Sequence, residues 1–283
     1  MSLKYFSQFM MVEGFIDREQ LDAALERGGL SHKSFGQLAI EAGYITASEA
    51  AELNREQMRR DVPFGQLAIE QGFLTEEKLE VLLQAHKDDH QALVEQLVAL
   101  GHLKDGEAKQ ALEDFWAQFP VRIAPEHLAH LADFEGHRPA LFVADVFARL
   151  AMRLTRIHLK LAGGCAFGDT KLYEYCAAIT LKGEQSVTIG LSTDGVFASE
   201  VIRGMTRIMS GDENINFGGD KGDFEDLLGG FLDIVGGHTI AGLEIEGVNL
   251  EMGTPVFGKD ALGGEAFELV SGCGKAVLTL ERG

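Results

Sequence analysis

The sequence has few cysteines and few basic residues, and it lacks any long apolar run. Its 3 cysteines in 283 residues have no metal-ligand spacing, so we expect them to be buried and reduced in the cytosol. Its 25 Lys and Arg residues against 44 Asp and Glu give a net charge of −19. Such a surface repels phosphate backbones, which excludes general binding to nucleic acid polymers.

No apolar run approaches the roughly 20 residues that span a bilayer, and no signal peptide is visible. We therefore expect a cytoplasmic protein without direct membrane insertion and without a resident metal or cofactor.

Glycines recur at a constant spacing in the first half of the chain. Gly14, Gly43, Gly72 and Gly101 lie 29 residues apart, and an apolar pair such as Tyr44-Ile45 follows each of the first three. A fixed period indicates a repeat array, and a glycine after a short helix is typical of a left-handed C-terminal cap. The pattern predicts an all-α domain over 1–118, built of four helical hairpins that must stack to bury their apolar faces.

Two segments of this array, 35–45 and 64–74, resemble the N-terminal repeats of type II secretion and type IV pilus ATPases of the GspE and MshE kind. In that family, tandem units of this spacing can bind cyclic di-GMP. The family's opening arginine is replaced here by Ser34 and Pro63. The resemblance implies these candidate nucleotide-binding residues: Phe35, Gly36, Gln57, Phe64 and Gly65. Outside the family pattern, Arg55 and Arg59 lie four residues apart and are candidates for a phosphate clamp. The alternative is a helical docking module for a partner protein.

One pair of histidines has the spacing of a helical metal site. His86 and His90 are four residues apart. No acidic or cysteine ligand is obviously paired with them, so we expect a solvated helix face and no metal site.

The helical period breaks across 119–138, which contains Pro120, Pro125 and Gly136 and is the predicted linker. From 139 to 283 the pattern becomes α+β. Its predicted elements are a helix at 141–156, strands at 173–181 and 186–191, a helix from Phe197, a long helix at 223–242, and strand regions at 248–257 and 266–280. The fold class is therefore multidomain, with helical repeats followed by an antiparallel-rich sheet packed by long helices.

Three segments of this half, 178–192, 226–238 and 253–259, resemble the CheX/CheC/FliY family of chemotaxis phosphatases. In that family a helix carries Glu-x-x-Asn. The glutamate engages a response regulator, and the asparagine amide positions the water that attacks its aspartyl phosphate. The matching positions here are Gly230 and Asp233. The resemblance also implies a homodimer.

The helical period itself places four residues together. At about 100° per residue, Asp226, Gly230, Asp233 and Gly237 form a narrow stripe opposite an apolar arc. Because the stripe holds carboxylates and glycines in place of the catalytic pair, we predict a non-catalytic adaptor that binds a response regulator or another motility or secretion protein. One alternative is an active phosphatase that uses Asp233, with Asp226 beside it. The other is a cyclic di-GMP receptor.

Overall fold

The computed structural model describes residues 3–31, 33–60, 62–117, 138–155, 157–210 and 219–283. The chain divides into two compact units. One contains the helices up to residue 117, and the other contains one sheet and the helices that pack on it. The predicted linker lies outside the described residues except at its last position, so the boundaries at 118 and 139 stay predictions.

Within the described residues, every secondary-structure element of the first unit is a helix. They are α1 (Leu3–Val12), α2 (Arg18–Gly28), α3 (Phe35–Glu41), α4 (Ala47–Arg60), α5 (Phe64–Glu70), α6 (Glu76–Ala99) and α7 (Asp105–Ala117). Several begin at a side-chain cap: Asp17, Ser34 and Thr75 each accept a hydrogen bond from a backbone N–H in the first turn. Although α3 and α5 have the same sequence, α5 follows Pro63, which makes no side-chain cap.

The four periodic glycines share one backbone geometry. Gly14, Gly43, Gly72 and Gly101 have φ between 68° and 76°. In each case the glycine N–H and the next two N–H groups donate to carbonyls of the preceding helix, as Gly43, Tyr44 and Ile45 do. This left-handed turn satisfies the last helical carbonyls and needs a residue without a Cβ.

Helix α6 departs from the expected array of four separate hairpins. It runs for 24 residues from Glu76 to Ala99, through the point where a turn was expected between the third and fourth hairpins. The earlier boundaries are interrupted by Gly28-Gly29 and by Pro63, whereas α6 contains neither glycine nor proline. Without a breaker, the helix continues, and the prediction of four separate hairpins is wrong at this boundary.

The expectation of a solvated face at His86 and His90 is also wrong, because both side chains are 0% exposed. The His90 ring lies 4.7 Å from the ring of Phe6 in α1 and 5.1 Å from that of Phe115 in α7. The His86 ring stacks on Phe35 of α3 at 5.9 Å. Three other helices thus cover this face of α6, which local sequence cannot show.

The second unit is an α+β fold. Its elements are α8 (Arg138–Leu150), which continues into a π-helical turn (Ala151–Thr155), β1 (Leu159–Ala166), β2 (Tyr175–Gly183), β3 (Val187–Thr193), α9 (Gly195–Ser210), α10 (Lys221–Glu244), β4 (Leu250–Met252), β5 (Val256–Phe257), β6 (Glu265–Ser271) and β7 (Ala276–Arg282). The predicted hairpin, the long helix and the C-terminal strands are confirmed. Strand β1 was not predicted, because Gly163-Gly164 interrupts any alternation of apolar residues.

The sheet is antiparallel throughout and has the order β1-β6-β7-β3-β2-β4, with β5 also pairing with β2. Helix α10 packs on β2 and β4, and α8 packs on α10. Phe231 of α10 is 0% exposed, and its ring meets that of Phe147 edge-on at 5.6 Å. The predicted antiparallel sheet covered by long helices is therefore present.

Helix α9 approaches the π-helical turn very closely. A Cβ atom at Gly204 would lie 2.5 Å from the Cα atom of Thr155 and 2.7 Å from the carbonyl oxygen of Leu154. Arg207, one turn further along α9, donates a hydrogen bond of 3.1 Å to the same carbonyl. Only glycine fits at position 204.

Two further sequence expectations concern cysteine and the membrane. Cys176 is buried as expected, whereas Cys273 is only half-buried. Within the described ranges, no helix combines the length and the apolar character that crossing a membrane requires.

Candidate functional site

Helix α10 carries the candidate catalytic residues and has well-defined ends. Its N-terminus is capped by Asp220, whose side chain accepts from the Asp223 N–H at 3.1 Å, while the Asp223 side chain accepts from the Asp220 N–H at 3.0 Å. Beyond its C-terminus, Gly247 has a φ of 82° and the Val248 N–H donates back to Leu243. Between these ends the helix lies on the sheet, so one side is buried and the other faces outward.

The outward side of α10 holds the predicted stripe. Asp226 and Asp233 are exposed, and Gly230 and Gly237 are partly exposed. The opposite side holds the large apolar residues of the helix that are fully buried: Leu228, Phe231, Leu232 and Val235. Asp226 and Asp233 are seven residues apart, so their Cα atoms are about 10 Å apart along the axis. They do not form a close carboxylate pair.

The glycines of α10 fall into two groups. A Cβ at Gly229 would lie 3.0 Å from the Phe257 ring, and a Cβ at Gly236 would lie 2.8 Å from the sulfur of Met252. At Gly230 and Gly237 the nearest heavy atoms would be 3.8 Å and 3.7 Å away, at ordinary contact distance. Gly229 and Gly236 thus permit close approach of β4 and β5, whereas nothing nearby requires glycine at Gly230 and Gly237.

Side chains from the edge of the sheet border the stripe. Met252 of β4 and Phe257 of β5 are 40% and 42% exposed, and both contact the glycine side of α10. The stripe and these two side chains together define a surface that we call the α10 face: Asp226, Gly230, Asp233, Gly237, Met252 and Phe257.

The carboxyl of Asp233 has a shifted pKa. Desolvation raises the pKa of its carboxyl above the ordinary value of 3.8. A raised pKa favours general-base chemistry, but a carboxylate lacks the N–H donor of the family's asparagine. Gly230 offers no side chain to reach a partner. The α10 face is thus an exposed surface with one carboxylate, Asp233, at the position that the resemblance assigns to the asparagine.

The raised pKa gives a testable pH dependence. The protonated Asp233 carboxyl is favoured in the folded state, so ionisation costs stability as the pH rises from the unfolded-state pKa through the folded-state pKa. We expect Asp233→Asn to be more stable than the native chain at neutral pH. The difference in stability between the two proteins should disappear below the unfolded-state pKa, because the Asp233 carboxyl is then protonated in both the folded and the unfolded state. Urea denaturation across the acid range measures it, and a constant difference at every pH would contradict the assignment.

Side chains pack closely beside the two glycines of the candidate nucleotide site in the first unit. The rings of Phe35 and Phe64 lie 5.8 Å apart. A Cβ at Gly36 would be 3.4 Å from the Phe64 ring, and one at Gly65 would be 2.5 Å from a methyl of Leu79. The structure thus brings Phe35, Gly36 and Phe64 together, and it places Phe64 beside Gly36 and Leu79 beside Gly65.

The polar candidates of that site either bond to other groups of the protein or are exposed. The Gln57 side chain donates to the carbonyl of Val62 at 2.9 Å. Arg59 is exposed and lies 3.9 Å from Glu56, and Arg55 is exposed. An open groove of about 370 Å³ in this unit lies between α6 and α7, and none of the candidate residues lines it.

Two residues at this place were not among the nucleotide-binding candidates of the sequence analysis. Arg60 joins α4 to α5 through an ion pair of 2.9 Å with Glu70. His86 stacks on Phe35 with an angle of 5° between the rings. The 29-residue period offered a signal for His86, since it occupies the position that corresponds to Gln57. Among the residues that the structure describes, no group of three or more His, Cys, Asp or Glu side chains could hold a metal ion.

Comparison with known proteins finds similarity at the level of structure alone. No family model matches the chain, and no curated protein matches it. The similar solved structures are chemotaxis proteins. CheX from Desulfovibrio desulfuricans is 13% identical, with 52% of this chain and 99% of that chain covered and a TM-score of 0.41.

CheX from Vibrio vulnificus is 15% identical, with 52% and 99% of the two chains covered and a TM-score of 0.41. A chain of a CheX–CheY complex from Borrelia burgdorferi is 12% identical, with 50% and 96% covered and a TM-score of 0.36. The structural neighbours of this protein are thus chemotaxis proteins of the CheX and CheC type, and they match about half of its chain.

Proposed function

We propose that this protein is a non-catalytic adaptor of bacterial chemotaxis or motility signalling, which binds the receiver domain of a response regulator through the α10 face. The observation that carries the proposal is which residues occupy two positions on the outward side of α10. Gly230 and Asp233 stand where the resemblance to the CheX family puts the glutamate and the asparagine. Both remain accessible, and neither supplies the side chain that the phosphatase reaction needs.

The exposed side of α10 supports a protein that still binds a partner over one that has lost all function. Asp226 and Asp233 are exposed, while close packing at Gly229 and Gly236 holds the helix on the sheet. Phosphoryl transfer requires little from a protein beyond positioned groups. A chain that keeps the helix and lacks those groups therefore retains a docking surface and loses turnover.

The test combines binding with turnover on the full-length protein. Receiver domains encoded in the same genome would be titrated calorimetrically, and the decay of their aspartyl phosphate would be followed with and without the protein. We expect at least one receiver to bind without faster dephosphorylation. The variant carrying Gly230→Glu and Asp233→Asn should then accelerate dephosphorylation of that receiver on the order of tenfold or more.

The phosphatase alternative has one observation in its favour, which is the raised pKa of Asp233. It predicts faster dephosphorylation by the native protein and loss of that activity in Asp233→Asn. This result would replace the adaptor proposal with an enzyme. The other alternative, a cyclic di-GMP receptor, predicts calorimetric binding of the nucleotide that Gly36→Ala and Arg55→Ala reduce.

A further inference from the structure

The charges of the α10 face have one sign. From Gly222 to Glu244 the helix contains no Lys or Arg. Its one lysine, Lys221, lies 3.6 Å from Glu225. Asp226 and Asp233 are exposed on the outward side. A partner that meets this face thus meets carboxylates with no lysine or arginine from α10 to balance them.

The same face has an apolar part. Met252 and Phe257 are 40% and 42% exposed although each is a large apolar side chain. The methyl of Met252 would lie 3.7 Å from a Cβ at Gly237, so the apolar part adjoins the acidic stripe. Apolar residues near the middle of a surface, with charged residues around them, are typical of protein interfaces.

The two open glycines make the helix surface flat on either side of Asp233. Gly230 stands between Asp226 and Asp233, and Gly237 follows one turn later. Without side chains at these positions, the backbone of a partner can come closer to the axis of α10 than other residues would allow. The shape therefore suits a segment that lies along the helix and places its side chains on either side of the glycines.

We infer that the α10 face binds a cationic segment of the receiver, with Lys or Arg side chains next to an apolar residue, and that phosphorylation of the receiver weakens this binding. The inference rests on the proposed function and adds the chemistry of the partner surface and the direction of regulation. Cationic side chains pair with Asp226 and Asp233, and the apolar residue packs on Met252 and Phe257.

The direction of regulation follows from the sign of the charge. A phosphoryl group adds nearly two negative charges. Placed by Asp226 and Asp233, it is repelled by both carboxylates, with a strength that grows as the interface excludes water. The unphosphorylated receiver lacks this repulsion. The protein would thus hold a response regulator in its resting state and release it on activation.

The test compares two states of one receiver. The receiver that binds in the experiment above would be titrated in its unphosphorylated form and as its beryllofluoride complex, which imitates the phosphorylated state. We expect affinity about tenfold higher for the unphosphorylated form, and a decrease in affinity at high salt. The variant carrying Asp226→Asn and Asp233→Asn should lose most of both effects. Glu268→Gln is the matched control, because Glu268 is an exposed acid on β6, separated from β4 by β7, β3 and β2.

The possible outcomes distinguish a failure of the inference from a failure of the proposed function. Binding that prefers the unphosphorylated receiver, and that depends on the two aspartates but not on Glu268, supports both. Binding that prefers the beryllofluoride complex, or that the double variant leaves unchanged, overturns the inference and leaves the adaptor function standing. An absence of binding to every receiver overturns both.

Discussion

Phe231→Ala is expected to destabilise the sheet-containing unit by about 3–5 kcal/mol. Phe231 is 0% exposed, and its ring meets Phe147 of α8 edge-on at 5.6 Å. Removing the ring loses this contact and leaves a cavity between α10 and α8, which close-packed neighbours fill only in part. Urea denaturation of the full-length protein, followed by circular dichroism, measures the loss.

Phe257→Ala is the matched control for this prediction. Phe257 is also a phenylalanine that contacts α10, but it is 42% exposed. Its removal should cost about 1 kcal/mol or less, while weakening the binding of a partner to the α10 face. Equal losses of stability in the two variants would contradict the placement of α10 on the sheet.

Gly204→Ala is expected to destabilise the protein by about 1–3 kcal/mol. The new Cβ atom would lie 2.5 Å from the Thr155 Cα and 2.7 Å from the Leu154 carbonyl oxygen. Both are backbone atoms, which cannot rotate away as the end of a side chain can. In an open helix the same substitution is favourable, since glycine costs about 1 kcal/mol relative to alanine. The close approach of α9 to the π-helical turn therefore makes this substitution destabilising, although it would be stabilising in an open helix.

Gly230→Ala is expected to have the opposite effect and to stabilise the same unit. Its Cβ would have Met205 as its nearest neighbour, at 3.8 Å, so the helix gains the ordinary advantage of alanine, about 0.5–1 kcal/mol. Thermal unfolding of both variants tests the pair. A stabilising effect of Gly204→Ala would show that α9 and the π-helical turn are further apart than described.

The elements that the sequence predicted correctly are those with a strong local pattern. Strands β2 and β3 pair from Tyr175 with Thr193 to Leu181 with Val187, and the alternation of their apolar residues had predicted this hairpin. Helix α10 was predicted within two residues at each end, because its apolar arc repeats over six turns. In both cases one buried face imposes a period on the sequence.

The elements that were missed depend on tertiary contacts. Strand β1 contains Gly163-Gly164 and has no alternation, yet it pairs with β6 along the sheet. His86 and His90 are polar by type, and their burial follows from helices that are distant in sequence. No local pattern records which helix covers another.

The sequence predicted which residues share the outward side of α10, but not how the glycines of this helix are packed. The helical period alone placed Asp226, Gly230, Asp233 and Gly237 on one side. It did not show that Gly229 and Gly236 serve packing while Gly230 and Gly237 lie open, because that division depends on where β4 and β5 approach. It also did not show that Phe64 and Leu79 cover the glycines of the candidate nucleotide site.

The packing of α1 sets an order for folding during synthesis. Side chains on nearly every side of α1 are buried, from Tyr5 to Met10, and Phe6 packs on Phe115 of α7 with 4.9 Å between ring centroids. Helix α1 leaves the ribosome long before α6 and α7, so its apolar surface stays uncovered until both of these helices have been translated. A nascent chain that stalls within α6 would expose that surface, and we expect it to be a substrate for chaperones and proteases.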